Sequence, residues 1–183
     1  PNTAANGIKI EYDTSGDPSS PPLLLIMGLS AQLIDWEEEL LAQLVEKGLF
    51  VIRFDNRDTG LSTKFEESGR PSIPYTLDDM ADDAVGLAKD LHPQTILLDF
   101  SLPQKMGGEM RDASHLVKIL QKDSPTWDAG MIIITGQDPQ LVSRKLSTGE
   151  LDPVPPVLSK PVDRKLLLKT MKSLSIHKRE ETL

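Results

Sequence analysis

The sequence predicts an α/β fold, a parallel sheet with helices on both faces, and three observations predict it. Apolar runs alternate with amphipathic segments in the order β-α-β-α-β-α-β-α-β. The run "LLLIMG" is continuously apolar, and "LFVIRFD", "TILLDF" and "MIIITG" are largely so, the form of strands covered on both faces. The segments between them carry apolar residues at helical spacing.

The elements follow in order. "GIKIEYDT" alternates Ile8, Ile10 and Tyr12 with polar residues and predicts a half-exposed strand. "SGDPSSPP" is a turn-rich break before the buried run at 23–28. In "IDWEEELLAQLVEKG", Trp36, Leu40 and Leu44 share a face, and Gly48 supplies the C-terminal stop of a helix. The strand at 49–55 leads into a long polar loop at 56–74. Thr76 then stands as an N-cap with Asp79 at capping-box distance, before a helix with Met80, Ala84, Leu87 and Leu91 on one face. After the strand at 95–100, Met110, Leu116, Val117 and Leu120 predict another helix. The strand at 131–136 precedes a short helix with Pro139 at its first position. "VPPVLSKP" holds a fifth short strand. "VDRKLLLKTMKSL" is a last helix, followed by a polar tail at 177–183.

Composition narrows the function. The 183 residues are 38% hydrophobic and 26% charged, enough for one α/β domain spanning 1–183. With no cysteine, disulfides, thiolate catalysis and cysteine zinc sites are excluded, which suits a reducing compartment. No apolar run is long enough to span a bilayer, and no signal-peptide pattern opens the chain, so a cytoplasmic location without membrane contact is expected. A net charge of −8 disfavours nucleic acid. The charge is uneven: up to Gly86 there are 16 acids and 6 bases, and from Leu87 onward 12 acids and 14 bases.

Two resemblances divide at that point. Residues from about 6 to 86 resemble the N-terminal part of α/β-hydrolase-fold esterases, through "LLLIMGLSAQLIDW", "VIRFDNRDTGLS" and "YTLDDMADDAVGL" in family order. The resemblance implies that the loop at Met27, Gly28, Leu29 and Ser30 corresponds to the oxyanion loop, whose backbone N–H groups stabilise a tetrahedral intermediate. Gly28 also reads simply as a tight strand-to-helix turn. No G-x-S-x-G nucleophile elbow is present. Neither His92, His115 nor His177 falls in a hydrolase-like context.

Residues from about 87 to 176 resemble the receiver domain of bacterial response regulators. That resemblance implies that Asp99, at the end of "ILLDFSLP", is a phosphoacceptor, and that Gly107 lies in the following turn. It also implies that Thr135 and Lys160 contact the phosphoryl group, and that Asp99 contributes to a Mg²⁺ site. The adjacent acids that complete such a site are missing, because the equivalent strand ends "LLLIMGLSAQ". Asp35 and Asp55, the nearest acids, sit at other element ends.

Together the resemblances imply a flavodoxin-like three-layer sandwich. It would have a five-stranded parallel sheet in order 2-1-3-4-5 and an extra N-terminal edge strand beside 49–55. The expectation is a chimera, engineered or recombined, joined near Gly86 to Lys89. It would not be an enzyme, would require no cofactor, and would keep a partial phosphoacceptor site. The alternatives are a receiver module phosphorylated on Asp99 by a histidine kinase or small phosphodonor, and an inactive α/β-hydrolase relic. Oligomeric state is left open.

Overall fold

The computed structural model describes residues 1–28, 31–65, 75–100, 113–122, 129–148, 151 and 153–180. Seven strands form one sheet in the order β1-β2-β4-β3-β5-β6-β7. They are β1 (Asn2–Ala5), β2 (Ile8–Ser15), β3 (Pro22–Ile26), β4 (Phe50–Phe54), β5 (Thr95–Asp99), β6 (Gly130–Thr135) and β7 (Val157–Ser159). The helices are α1 (Glu38–Glu46), α2 (Leu77–Leu91), α3 (Ala113–Lys122), α4 (Pro139–Ser147) and α5 (Arg164–Glu180).

The five-stranded expectation is corrected to seven. The five parallel strands do run β4-β3-β5-β6-β7, the relative order expected. The extra strand, β2, pairs antiparallel with β4 at Tyr12↔Phe54 through Ser15↔Val51. It is not the edge, because β1 pairs antiparallel with it in turn. The hairpin between them turns on Asn6 and Gly7, with φ of 49° and 75°. Positive φ at both central residues is what a two-residue turn matched to strand twist requires, and Asn-Gly is the pair that adopts it most readily. That dipeptide was the overlooked signal.

Side chains on the two sheet faces feed separate cores. Leu24, Ile26, Ile52, Phe54, Ile96, Leu98 and Ile133 pack with α2, α3 and α4. Leu23, Leu25, Val51, Leu97, Ile132 and Ile134 pack with α1 and α5. The period of two along each strand thus becomes two apolar layers. Each fully buried aliphatic side chain contributes about 1.5–3 kcal/mol.

The expected seam near 86–89 lies inside one unbroken helix, α2. Gly86 has a packing reason: a Cβ there would come within 3.0 Å of the Ala5 Cβ, so its absence lets α2 lie close on β1. Parallel pairing also runs straight across the expected boundary, from Leu23↔Thr95 to Ile26↔Leu98.

The expected caps are present. Thr76 accepts from the Asp79 N–H, and the Asp79 carboxylate accepts from the Thr76 N–H at 2.7 Å. Pro139 opens α4 as expected, with Asp138, not singled out from the sequence, as its cap, and Gly48 follows α1 with φ of 78°. Two boundaries differ from expectation. Residues Leu33–Asp35 form a separate 3₁₀ turn before α1, fixed by the Asp35 carboxylate accepting from the Gln32 N–H at 2.7 Å. α5 runs on to Glu180, into the stretch expected as a polar tail. Among the described residues, no helix is long and apolar enough to cross a membrane.

Candidate active site

The carboxyl ends of the parallel strands share one end of the sheet, where α/β sheets bind ligands. β3 and β5 are neighbours there. The sequence therefore brings Gly28, just past β3, to the same end as Asp99, the last residue of β5. Both are buried. Leu29, Ser30, Gly107 and Met110 lie outside the described residues.

Asp99, Thr135 and Lys160 also converge. Lys160 follows β7 and reaches past β6 to place its ammonium 2.6 Å from the Asp99 Oδ2. The Asp99 side chain is 5% exposed and that of Lys160 37%, so the pair neutralises a carboxylate that β5 carries into the interior. Thr135 ends β6 and is buried. Its hydroxyl accepts from the Gln137 N–H at 3.0 Å, and its carbonyl accepts from the Lys160 N–H at 2.7 Å. The three residues thus tie together the ends of β5, β6 and β7. Among the described residues, no three His, Asp or Glu side chains group to hold a metal ion.

A second network follows β4, in "DNRDTGLS", and here the sequence assigned no roles. Asp55 is buried and both its carboxylate oxygens are used. Oδ1 accepts from the Leu33 N–H and Oδ2 from the Leu61 N–H, each at 2.9 Å. It thereby clamps the 3₁₀ turn after β3 to the loop after β4, and so it does not stand in for a missing metal ligand. Gly60 makes the approach possible. Its φ is 48°, and any Cβ would fall 1.8 Å from the Asp55 Oδ2. The Asn56 amide donates to the carbonyls of Met27 at 3.1 Å and Gly28 at 3.5 Å.

Arg57 turns the other way. Its Nε and one terminal nitrogen donate to the two Asp83 oxygens at 2.6 and 2.7 Å, and the same terminal nitrogen donates to the Asp79 carbonyl at 3.1 Å. Its guanidinium lies 5.5 Å from the Phe65 ring centre and 5.2 Å from that of Tyr75, within cation–π range. Burial pushes the Asp83 carboxyl up, against the pull of the Arg57 hydrogen bonds and charge. The signal for this pair was an Arg three residues past a buried strand and an Asp on the buried face of the next helix.

A cleft of about 730 Å³ opens beside this network, lined by Tyr12, Leu33, Ile34, Arg57, Leu61 and Tyr75 among others. Ile34 and Leu61 are exposed at 65% and 73%, an apolar rim on an otherwise polar cleft.

Known proteins resemble this arrangement. No protein-family model matches the chain. Rhodomycin D methylesterase DauP from Streptomyces sp. (strain C5) is 40% identical over 72 residues, which is 39% of this chain and 23% of that protein. The corresponding DnrP from Streptomyces peucetius is 42% identical over 72 residues. The chain thus spans about 23% of the length of these curated relatives. Among solved structures, an N-formylmaleamic acid deformylase from Pseudomonas putida S16 superposes with a TM-score of 0.56 at 26% identity, covering 74% of this chain and 46% of the deformylase. Epoxide hydrolase A from Mycobacterium thermoresistibile has a TM-score of 0.52 at 17% identity and covers 82% of this chain and 44% of its own.

The fold is an α/β-hydrolase fold.

Several expectations are corrected by this. The hydrolase-like architecture covers 74% of the chain in the deformylase superposition, far past the expected seam at 86–89. The antiparallel β1–β2 pair beyond β4 completes a seven-stranded sheet that a five-stranded flavodoxin-like fold lacks. Nothing in these similarities supports a receiver half, a phosphorelay role or a chimera. The expectation of a non-enzyme is overturned as well, because the matching relatives are methylesterases and the structural neighbour at 26% identity is a deformylase. The physical reason for the misreading is that both folds share the β-α-β-α-β order through right-handed crossovers. The Asp, Thr and Lys at three strand ends then matched the receiver pattern.

Proposed function

We propose that the chain forms the sheet and oxyanion loop of a carboxylic ester hydrolase whose substrate class is methyl esters. One observation carries the reading: the loop after β3 and the end of β5 adjoin on a sheet with the hydrolase strand order. The match to two methylesterases supports the choice of ester. In such a site a nucleophile after β5 attacks the ester carbonyl, and backbone N–H groups after β3 stabilise the resulting oxyanion.

The proposed nucleophile is Ser101, two residues beyond Asp99 in sequence. The stretch Asp99, Phe100, Ser101, Leu102, Pro103 occupies the elbow's place in chain order. Asp99 and Pro103 stand where the elbow motif carries glycine, which hides it from a search for G-x-S-x-G. The Ser101 oxygen would bond to the carbonyl carbon, its proton passing to a general base and methanol leaving. Water would then release the acid and regenerate the hydroxyl.

The test is hydrolysis of a panel of aryl and alkyl methyl esters by the purified protein, with p-nitrophenyl acetate as a chromogenic probe. Turnover that disappears in Ser101→Ala, with folding unchanged, is expected. Equal rates in the two proteins refute the assignment of Ser101, and no turnover by the parent protein refutes the esterase reading.

A further inference from the structure

We infer that Asn56 is the positioning residue for the oxyanion loop, an inference that rests on the ester hydrolase reading. The loop after β3 needs a fixed orientation, because an oxyanion donor is useful only when its N–H already points at the place where charge develops. Glycine gives no side chain with which to hold it. Asn56 supplies the hold from the neighbouring strand.

The geometry is direct. The buried Asn56 side chain donates to two successive carbonyls, Met27 at 3.1 Å and Gly28 at 3.5 Å. Two carbonyl oxygens can be met only by the NH₂ end of the amide, which settles its orientation. The Met27 carbonyl and the Gly28 N–H belong to one planar trans peptide, so they point in opposite directions. Drawing the carbonyl toward Asn56 therefore turns the Gly28 N–H away from it. Among the described residues, that N–H meets no hydrogen-bond acceptor.

Asn56 is itself well held. Its backbone carbonyl accepts from the Thr59 N–H at 3.0 Å, and the preceding Asp55 is pinned by two backbone N–H groups. Asp55 ties the loop's far side at Leu33 while Asn56 ties its near side at Met27 and Gly28. The polar run after β4 thus serves as a brace for the loop after β3.

Two variants separate positioning from stability. Asn56→Asp keeps the shape but sets a carboxylate against two carbonyls, and Asn56→Ala removes the hold. In both, ester hydrolysis should lose about 100-fold in kcat with KM within about twofold, the pattern of a contact that matters only in the transition state. Leu146→Ala, a buried core truncation in the last turn of α4, is the control for general destabilisation and should keep its kcat. The Asn56 side-chain NH₂ resonances of the parent, and the Gly28 backbone amide shift in the parent and both variants, report by NMR the hold on the Met27 carbonyl without any substrate. A displaced Gly28 amide resonance in Asn56→Ala, together with the kcat loss, supports the inference. A kcat within threefold of the parent overturns it, as does a loss matched by Leu146→Ala. If the parent protein hydrolyses no ester, the catalytic role falls with the hydrolase reading. The NMR comparison then tells whether the hold itself was real, since an unchanged Gly28 amide resonance shows that the geometric half also failed.

Discussion

Replacing Asp83 with leucine tests how the polar network behind the loop is stabilised. The Arg57 and Asp83 side chains are 5% and 2% exposed, so both charges are out of water. Removing one partner of such a pair leaves the other charged and buried, at a cost of about 3–5 kcal/mol. The low end applies here, because Arg57 keeps the Asp79 carbonyl at 3.1 Å, a distant Asp79 carboxylate at 3.9 Å and two aromatic faces. The expected loss for Asp83→Leu is therefore about 3 kcal/mol. In a chain of this size that lowers Tm by about 6–12 °C. Burial already pushes the Asp83 carboxyl up despite Arg57, so desolvation weighs heavily in this pair. The double variant Arg57→Met with Asp83→Leu should accordingly recover most of the loss. Urea unfolding followed by circular dichroism and by fluorescence of the buried Trp36 supplies the energies for a double-mutant cycle. Acidity adds a second check. The penalty of Arg57→Met should shrink as pH falls from neutral, because an unpaired Asp83 can take a proton, whereas the guanidinium left by Asp83→Leu stays charged. A loss below about 1 kcal/mol for Asp83→Leu, or additive single and double variants, would refute the reasoning.

Two other perturbations have expected outcomes. Gly60→Ala forces a Cβ to 1.8 Å from the Asp55 Oδ2 at a positive φ. It should lower stability by at least about 2 kcal/mol in urea titrations and speed exchange of the Leu33 and Leu61 amides; an unchanged midpoint would mean that Asp55 does not clamp the loops. At Asp79, hydrogen bonding from the Thr76 N–H holds the carboxyl below its ordinary value of 3.8, helped by the Thr76 hydroxyl and Arg57 and opposed by burial. Its contribution is then full above that value and is lost as pH falls through the lower folded pKa. Asp79→Asn should flatten this part of the acid unfolding curve and Thr76→Ala should cost about 1 kcal/mol; parallel acid curves for the parent and Asp79→Asn would contradict the cap.

The sequence by itself determined the layers. Uninterrupted apolar runs such as 23–26 and 96–98 can only be strands covered on both faces, and chirality of the crossovers then orders them. Thr76 with Asp79, and Pro139 at a first helical position, announced helix starts because such signals are local chemistry between residues a few positions apart. The Asn-Gly hairpin was equally local and equally legible, and was passed over. Tertiary structure alone decided what the polar residues do. Asp55, Asn56 and Arg57 are adjacent in the chain, yet one clamps two loops, one braces Met27 and Gly28, and one pairs with Asp83 on α2. Apart from Leu61, six residues on, those partners lie 22 to 29 residues away, and no periodicity encodes them. The ends of β5, β6 and β7 carried residue types that match a receiver, on a parallel strand order that both folds share. The antiparallel hairpin beyond β4 separated them, because it extends the same parallel core to seven strands. A buried charge is uninformative until its neighbour is known, since solvation outside and pairing inside demand the same residue types.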